Sequence, residues 1–366
     1  MASMLHNEYH PESVSPPGET LAETLETLGM SQAELAKRMD RPVKTINEII
    51  QGKAAITAET VLQLEQVLHI PASFWLKREQ QYREFLARLA EEERLKSWVD
   101  WLKELPIREM TRRGWIPSCT NKPQQVFEVL KFFGVASPDA WHTIWDHKVI
   151  VYRKSNTLTS NFGAITVWLR QGELEAREIE CAPYNADTFR DVLNQVRALT
   201  GKSASVFQEE LVRLCASAGV AVVFVEELPR TGICGSTQWL TPTKALVQLS
   251  LRYKTDDQLW FTFFHEAGHI LRHGKRQVFL EIDQKDREKA EEEANIFAAN
   301  TLIPPTQWQR FVASGTYRSK NGIKEFAQNI GIAPGIVVGR LQHEKLLPFD
   351  HCNELKRRLE WKVEEC

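Results

Sequence analysis

The chain has 366 residues, of which 43% are apolar and 26% charged, with a net charge of −2. That length exceeds one ordinary domain and points to two or three units with real cores, while the near-neutral charge gives no global pull toward nucleic acid or membrane. No apolar run reaches the roughly 18 residues of a bilayer span, the start Met1-Ala-Ser-Met-Leu-His-Asn-Glu8 has no signal-peptide core, and six scattered cysteines without a C-x-x-C pair read as reduced thiols, so a cytoplasmic address is expected.

Residues 1–18 carry Pro11, Pro16, Pro17 and Gly18 among polar residues and read as a loose arm. Leu21, Leu25 and Leu28 recur at helical spacing up to Gly29, a natural helix terminator. Ser31 with Glu34 three residues on forms a capping box for a second helix. After the turn Asp40-Arg41-Pro42 the spacing predicts a third helix over Val43–Gln51, stopped by Gly52. Further helices follow through Leu62, Leu64, Val67 and Leu68, then Phe74-Trp75-Leu76. Helix, tight turn, helix in a five-helix pattern is the plan of a helix-turn-helix DNA-binding domain, expected over 1–80.

Gly29-Met-Ser-Gln-Ala-Glu-Leu-Ala36, Ile46-Asn-Glu-Ile-Ile-Gln-Gly-Lys53 and Phe74-Trp-Leu76 resemble the lambda-repressor-like antitoxins of the HigA type, over about residues 17–78. The resemblance implies that Val43–Gln51 enters a major groove. Lys44, Thr45 and Asn47 would then lie near its base-facing start, and Arg41 and Lys53 nearer phosphates. Seven basic side chains stand against eleven acidic ones in residues 1–80, a net of −4, so the few cations must concentrate on one face for DNA to bind. A protein-docking or dimerisation module is the alternative.

From Glu79 to Lys103 dense alternating charge with Phe85, Leu86, Leu89, Leu95 and Trp98 predicts a long amphipathic helix. Residues 81–200 read as helical linker and an aromatic-rich middle region, in which Trp115, Phe127, Phe132, Phe133, Trp141, Trp145 and Trp168 are expected in a core. Ile144–Val151 and Ala164–Leu169 fit helix or strand equally. The role of 105–200 stays open among sensor, dimer interface and spacer.

A further compact unit is expected over 201–312. Val206–Ala218 reads as a helix ending at Gly219, Val220–Val225 as a buried strand, Gly232–Thr237 as a turn and Lys244–Leu251 as a second strand. Strand 244–251 is the expected platform for an extended substrate at the sheet edge. Next comes Trp260-Phe-Thr-Phe-Phe-His-Glu-Ala-Gly-His-Ile-Leu271, a helix with His265-Glu266-x-x-His269 in an otherwise uncharged run. Residues i and i+4 share a helix face, so both imidazoles can meet one Zn2+ ion, with Glu266 placed to take a proton from water. A zinc site open to water needs a third protein ligand. In the acidic helix Arg287–Ala299, Glu293 precedes Ala294 and lies four residues before Phe297, which turns it toward the apolar face; Glu292 is the reserve, and Glu291 and Glu292 are expected in solvent. Tyr253 and His273 are nearby candidates for oxyanion stabilisation.

This helix together with Glu293-Ala-Asn-Ile-Phe-Ala-Ala299 and Leu302-Ile-Pro304 resembles the ImmA/IrrE metallo-endopeptidases, over roughly 205–310. The resemblance implies a gluzincin-like site with His265, His269 and Glu293 on Zn2+ and Glu266 as general base. The family cuts repressors of the helix-turn-helix class, and several members carry such a domain in front. Trp168-Leu-Arg-Gln-Gly-Glu173 is similar to a segment of those fused proteins. Residues 313–366, with Ile323–Gln342 at helix-turn-helix spacing and Lys356-Arg-Arg358 after it, are expected as helices packed on the peptidase.

The fold expected is α+β and multidomain: an all-α helix-turn-helix domain, a mixed region, then a zincin-like domain with a small sheet. The function expected is a zinc endopeptidase and transcriptional regulator that binds operator DNA as a homodimer and cleaves a repressor, an antitoxin or itself. The alternative is a non-enzymatic HigA-like antitoxin or repressor that senses metal or ligand. No membrane partner is expected.

Overall fold

Gly29 and Gly52, both at positive φ (62° and 68°), punctuate the N-terminal helices where the sequence places them. In the computed structural model, which describes residues 14–153, 162–273 and 284–361, these helices are α1 (Pro17–Thr27), α2 (Gln32–Arg38), α3 (Val43–Ile50), α4 (Ala58–Leu68) and α5 (Ala72–Ser97). Most of the expected arm, residues 1–13, lies outside the described residues. Ser31 Oγ accepts from the Glu34 amide at 3.1 Å and starts α2. Leu21, Leu25, Leu35, Ile46, Ile49, Leu64 and Trp75 close one core, each 3% exposed or less. A Cβ on Gly18 would sit 2.2 Å from the Ile49 carbonyl oxygen, so α1 and α3 meet backbone to backbone. Helix α5 is continuous over 26 residues, as its charge alternation predicts.

The chain divides into two compact units. The first runs to Asp100 and takes in Thr120–Phe127; the second holds Trp101–Cys119 and the chain from Glu128 onward. The helices after α5 are α6 (Ile107–Arg112), α7 (Lys122–Phe133), α8 (Pro138–Arg153) and α9 (Phe162–Arg177). Both ambiguous stretches, 144–151 and 164–169, are therefore helical. Trp101, Phe133, Trp141 and Trp145 pack edge to face, with centroids 5.5 to 6.4 Å apart where they touch.

The chain continues through α10 (Ala186–Leu199) and α11 (Ala204–Ala216) into a three-stranded sheet. It comprises β1 (Val220–Phe224), β2 (Gly235–Thr241) and β3 (Lys244–Leu249). The order is β1-β3-β2, with β1 parallel and β2 antiparallel to β3. Two expectations fail here. The stretch taken as a turn becomes a strand from Gly235. Strand β3 is also not an edge: its backbone pairs on both sides, which leaves β2 as the edge strand beyond it. The polar residues Ser236, Thr237 and Gln238 hid this strand from a reading based on β-branched apolar runs.

After the sheet come α12 (Asp256–His273), α13 (Gln284–Leu302), α14 (Pro305–Ser314), α15 (Lys320–Ile330) and α16 (Pro334–His343). Val220, Val222, Ala245, Val247 and Leu249 face a core shared with Trp260, Phe263 and Phe264 of α12 and Val337 and Leu341 of α16. The opposite face is covered by the middle region. Trp168 of α9 donates from Nε1 to the Val225 carbonyl at 3.0 Å and accepts at its own carbonyl from Gln248 Nε2 at 2.7 Å. Helix α9 is thus the second cover of the sheet and no solvated spacer. The C-terminal segment returns to the start of α12, where Arg357 Nε meets Asp256 Oδ2 at 3.0 Å and Lys356 Nζ meets Asp257 Oδ2 at 2.7 Å. Five of the six cysteines, Cys119, Cys181, Cys215, Cys234 and Cys352, are free. No helix among the described residues is long and apolar enough to cross a membrane.

Candidate functional site

Helix α12 is apolar along its buried side because it lies between the sheet and α13, and this arrangement fixes where its histidines point. His265 and His269, one turn apart, approach through their Nε2 atoms to 3.0 Å. The close α12–α13 packing needs Gly268, where a Cβ would lie 3.0 Å from Phe297 Cδ1 and 3.3 Å from Ala294 Cα. Across that contact Glu291 places its carboxylate 3.3 Å from His265 Nε2 and 3.5 Å from His269 Nε2. The donor atoms of His265, His269 and Glu291 all lie within 4.8 Å of one another, the one such His/Cys/Asp/Glu group among the described residues.

Glu293, the expected third ligand, points elsewhere: its Oε2 lies 3.3 Å from His273 Nε2 and its Oε1 4.0 Å from Lys289 Nζ. The reason is helical phase. Ala294 and Ala298 are fully buried and set the inner face of α13, and Glu291 lies three and seven positions before them on that face. Phe297, which oriented Glu293 in the sequence, is only half-buried under the Arg272 guanidinium. Glu292, the reserve, is exposed.

The donor set fits a metal ion such as zinc. Each imidazole spends its other nitrogen on the protein, leaving Nε2 for the centre: His265 Nδ1 meets Asn295 Oδ1 at 2.9 Å, and His269 Nδ1 meets His273 Nδ1 at 3.0 Å. Burial and the neighbouring His265 hold the His269 imidazole down at about 4, so its lone pair is available at neutral pH. Burial also pulls His265 down, but its hydrogen bond to Glu291 and the charges of Glu266 and Glu291 carry it above its usual range. Glu291 is penalised by burial, yet the three histidines hold it below the ordinary carboxylate range. Two imidazoles and one ionised carboxylate make a three-ligand set that leaves a fourth position open.

Glu266 lies buried on the sheet side of the same helix. Thr237 Oγ1 on β2 donates to its Oε2 at 2.7 Å, and Gly235 leaves it room, since a Cβ there would come within 3.0 Å of Oε1. Burial raises the Glu266 pKa above the ordinary carboxylate value, against the opposing pull of His265 and Thr237. A carboxylate tuned upward suits a group that must accept and then return a proton. The edge strand β2 therefore passes directly beside it. Tyr253 is half-exposed with Arg252 over its ring, and Cys234 is not among the clustered donors. Glu291, Asn295 and Thr237 escaped the sequence reading. His273 carried a signal, standing four residues after His269 as His269 stands after His265.

In the N-terminal unit α3 offers Val43, Lys44 and Asn47 to solvent at its start, with Thr45 half-buried and Lys53 exposed just beyond. Lys44 Nζ is 3.8 Å from Glu48. Arg41 pairs with Glu59 at 3.0 Å and donates to Gln63 Oε1 at 2.5 Å.

Comparison with known proteins agrees with both halves. Residues 21–75 match the family model described as Helix-turn-helix, and residues 234–342 that of the M78 peptidases, described as the IrrE N-terminal-like domain. Virulence-associated protein A of Dichelobacter nodosus is 37% identical over 59 residues, 16% of this chain and 58% of that protein. The uncharacterized HTH-type transcriptional regulator YddM of Escherichia coli K12 is 33% identical over 60 residues, 16% of this chain and 64% of its own length. The chain thus spans about three fifths of the curated relatives it matches. Among solved structures, an addiction module antidote protein of the HigA family from Coxiella burnetii is 32% identical, covering 23% of this chain and 91% of its own, with a TM-score of 0.22. Pseudomonas aeruginosa antitoxin HigA, solved with the higBA promoter, is 26% identical, covering 23% and 94%, also with a TM-score of 0.22. The chain joins a helix-turn-helix domain to an IrrE N-terminal-like domain of a metallopeptidase family.

Proposed function

We propose that the second unit is a zinc-dependent endopeptidase and that the first directs it to gene control, as a regulator that binds an operator and cleaves a repressor, an antitoxin or itself. The observation that carries this reading is the convergence of His265 Nε2, His269 Nε2 and the Glu291 carboxylate next to the buried Glu266. A zinc ion held by those three groups would supply Lewis acidity to the scissile carbonyl and to the attacking water. Glu266 takes the proton of that water at its carboxylate and delivers it to the leaving amine. Thr237 holds one carboxylate oxygen and so fixes the direction in which the base faces. The unpaired side of β2 lines up an extended peptide by strand addition, which brings a scissile bond alongside Glu266.

On the DNA side, α3 enters the major groove as part of a homodimer, with Lys44, Thr45 and Asn47 toward bases and Lys53 toward phosphate. Arg41, which also contacts Glu59 and Gln63 of α4, lies toward phosphate as well. The test is elemental analysis of the purified chain, then incubation of wild type and Glu266→Gln with a helix-turn-helix repressor encoded beside it. Zinc in both and cleavage by wild type alone supports the enzyme. Zinc in both and cleavage in neither sinks it and leaves the non-enzymatic sensor. A gel shift on the first unit with no specific band at low salt would refute operator binding.

A further inference from the structure

We infer that His273 and Glu293 are positioning residues that set the tautomer and ring orientation of His269 for the metal. The inference rests on the reading of His265, His269 and Glu291 as ligands. Its evidence is a continuous line of three side chains. His269 Nδ1 lies 3.0 Å from His273 Nδ1, and His273 Nε2 lies 3.3 Å from Glu293 Oε2.

The protons along that line follow from donor and acceptor chemistry alone. Two ring nitrogens at hydrogen-bond distance share one proton, so one must donate and the other accept. A ligand nitrogen must present a lone pair, which leaves His269 with its proton on Nδ1. His269 Nδ1–H therefore donates to His273 Nδ1. His273, accepting there, carries its own proton on Nε2 and donates it to the Glu293 carboxylate. The negative end of the line stabilises this single arrangement of protons and makes His269 Nε2 a better donor. His265 is fixed more simply, by Asn295 Oδ1 at 2.9 Å.

Burial and spacing make the arrangement specific. The His273 side chain is only 8% exposed, so water does not readily replace it against His269. His265, His269 and His273 follow at four-residue intervals on α12, while Glu291, Asn295 and Glu293 come from α13. The two acids on either side of Glu292 thus divide the work: Glu291 faces the position between His265 and His269, and Glu293 holds the outer histidine. Lys289, 4.0 Å from Glu293, is a weaker neighbour on the solvent side.

The test measures zinc affinity of the full chain by competition with a chromophoric chelator, with zinc alone as the probe and no cleavage required. His273→Phe keeps a ring but no acceptor, and should weaken zinc by about 10- to 100-fold. His273→Gln, which can accept from His269 and donate to Glu293, should stay within about threefold of wild type on the same principle. Glu293→Leu should cost less than Glu291→Leu. Wild-type affinity in His273→Phe would overturn the inference. So would a loss in Glu293→Leu equal to that in Glu291→Leu, which would make Glu293 a ligand. Circular dichroism identifies any variant that has not folded; if His273→Phe is one, the two Leu variants and His273→Gln decide. Absence of proteolysis would sink the peptidase reading and leave these affinities intact.

Discussion

Replacing Arg357 by Met strips the buried Asp256 of its counter-charge at the first residue of α12, the helix that carries His265 and His269. Asp256 is fully buried, and Arg357 Nε reaches its Oδ2 at 3.0 Å while the Arg357 amide reaches Oδ1 at 3.0 Å. The substitution removes the guanidinium and leaves the amide in place. Breaking a buried pair from one side costs about 3–5 kcal/mol. Protonation sets a ceiling: moving a group with an ordinary value of 3.8 to its neutral form at pH 7 costs ~4 kcal/mol at about 1.4 kcal/mol per unit. Arg357 is itself partly exposed, so a loss near ~3 kcal/mol is expected.

The pH dependence has a definite sign. Burial raises the Asp256 pKa above 3.8 in the folded chain, against the opposing pull of Arg357. Between the two values the folded chain holds more protons than the unfolded one, so this group's contribution to stability falls as pH rises. Without Arg357 the folded value climbs further, so the loss is full near pH 7 and shrinks on acidification toward 3.8. Urea unfolding followed by tryptophan fluorescence at several pH values reads this directly. Asp256→Asn combined with Arg357→Met should recover the part of the loss owed to the stranded carboxylate, while the bonds Arg357 gives the Thr200 and Lys202 carbonyls stay lost in both. A pH-independent loss, or no recovery in the double variant, would refute the reasoning.

Three further outcomes are expected. Thr237→Val removes a hydrogen bond to a charged group, about 1.5–3 kcal/mol, and should lower kcat/KM by roughly 10- to 100-fold with zinc affinity unchanged; a loss of zinc would show that Thr237 acts otherwise. Gly18→Ala forces a Cβ to 2.2 Å from the Ile49 carbonyl, so the first unit should lose at least ~1–3 kcal/mol and operator binding while zinc content stays; normal DNA binding would contradict the packing. Lys53→Ala should reduce the slope of log affinity against log salt by about 1, and an unchanged slope would remove Lys53 from the phosphate contacts.

The helix-turn-helix was legible because its signals are local. Gly29, the Ser31 cap and Gly52 each act within one turn of backbone, and the interval of four between His265 and His269 survives any tertiary context. What was not legible depends on partners remote in sequence. Choosing among three adjacent glutamates needs the phase of α13 against α12, which Ala294, Ala298 and Gly268 set by packing, whereas Phe297 misled as the largest apolar residue. Strand β2 is polar, and its identity follows from pairing with β3. The aromatic middle region gave a core and no location. The bonds of Trp168 to Val225 and Gln248 place α9 on the sheet.

The donor set is tested most directly by zinc-edge anomalous diffraction from crystals of the zinc-loaded chain. One peak bonded to His265 Nε2, His269 Nε2 and a Glu291 carboxylate oxygen, each at about 2.0–2.2 Å, is the predicted result. A peak bonded to Glu293 in place of Glu291, or no peak between the two histidines, would contradict it.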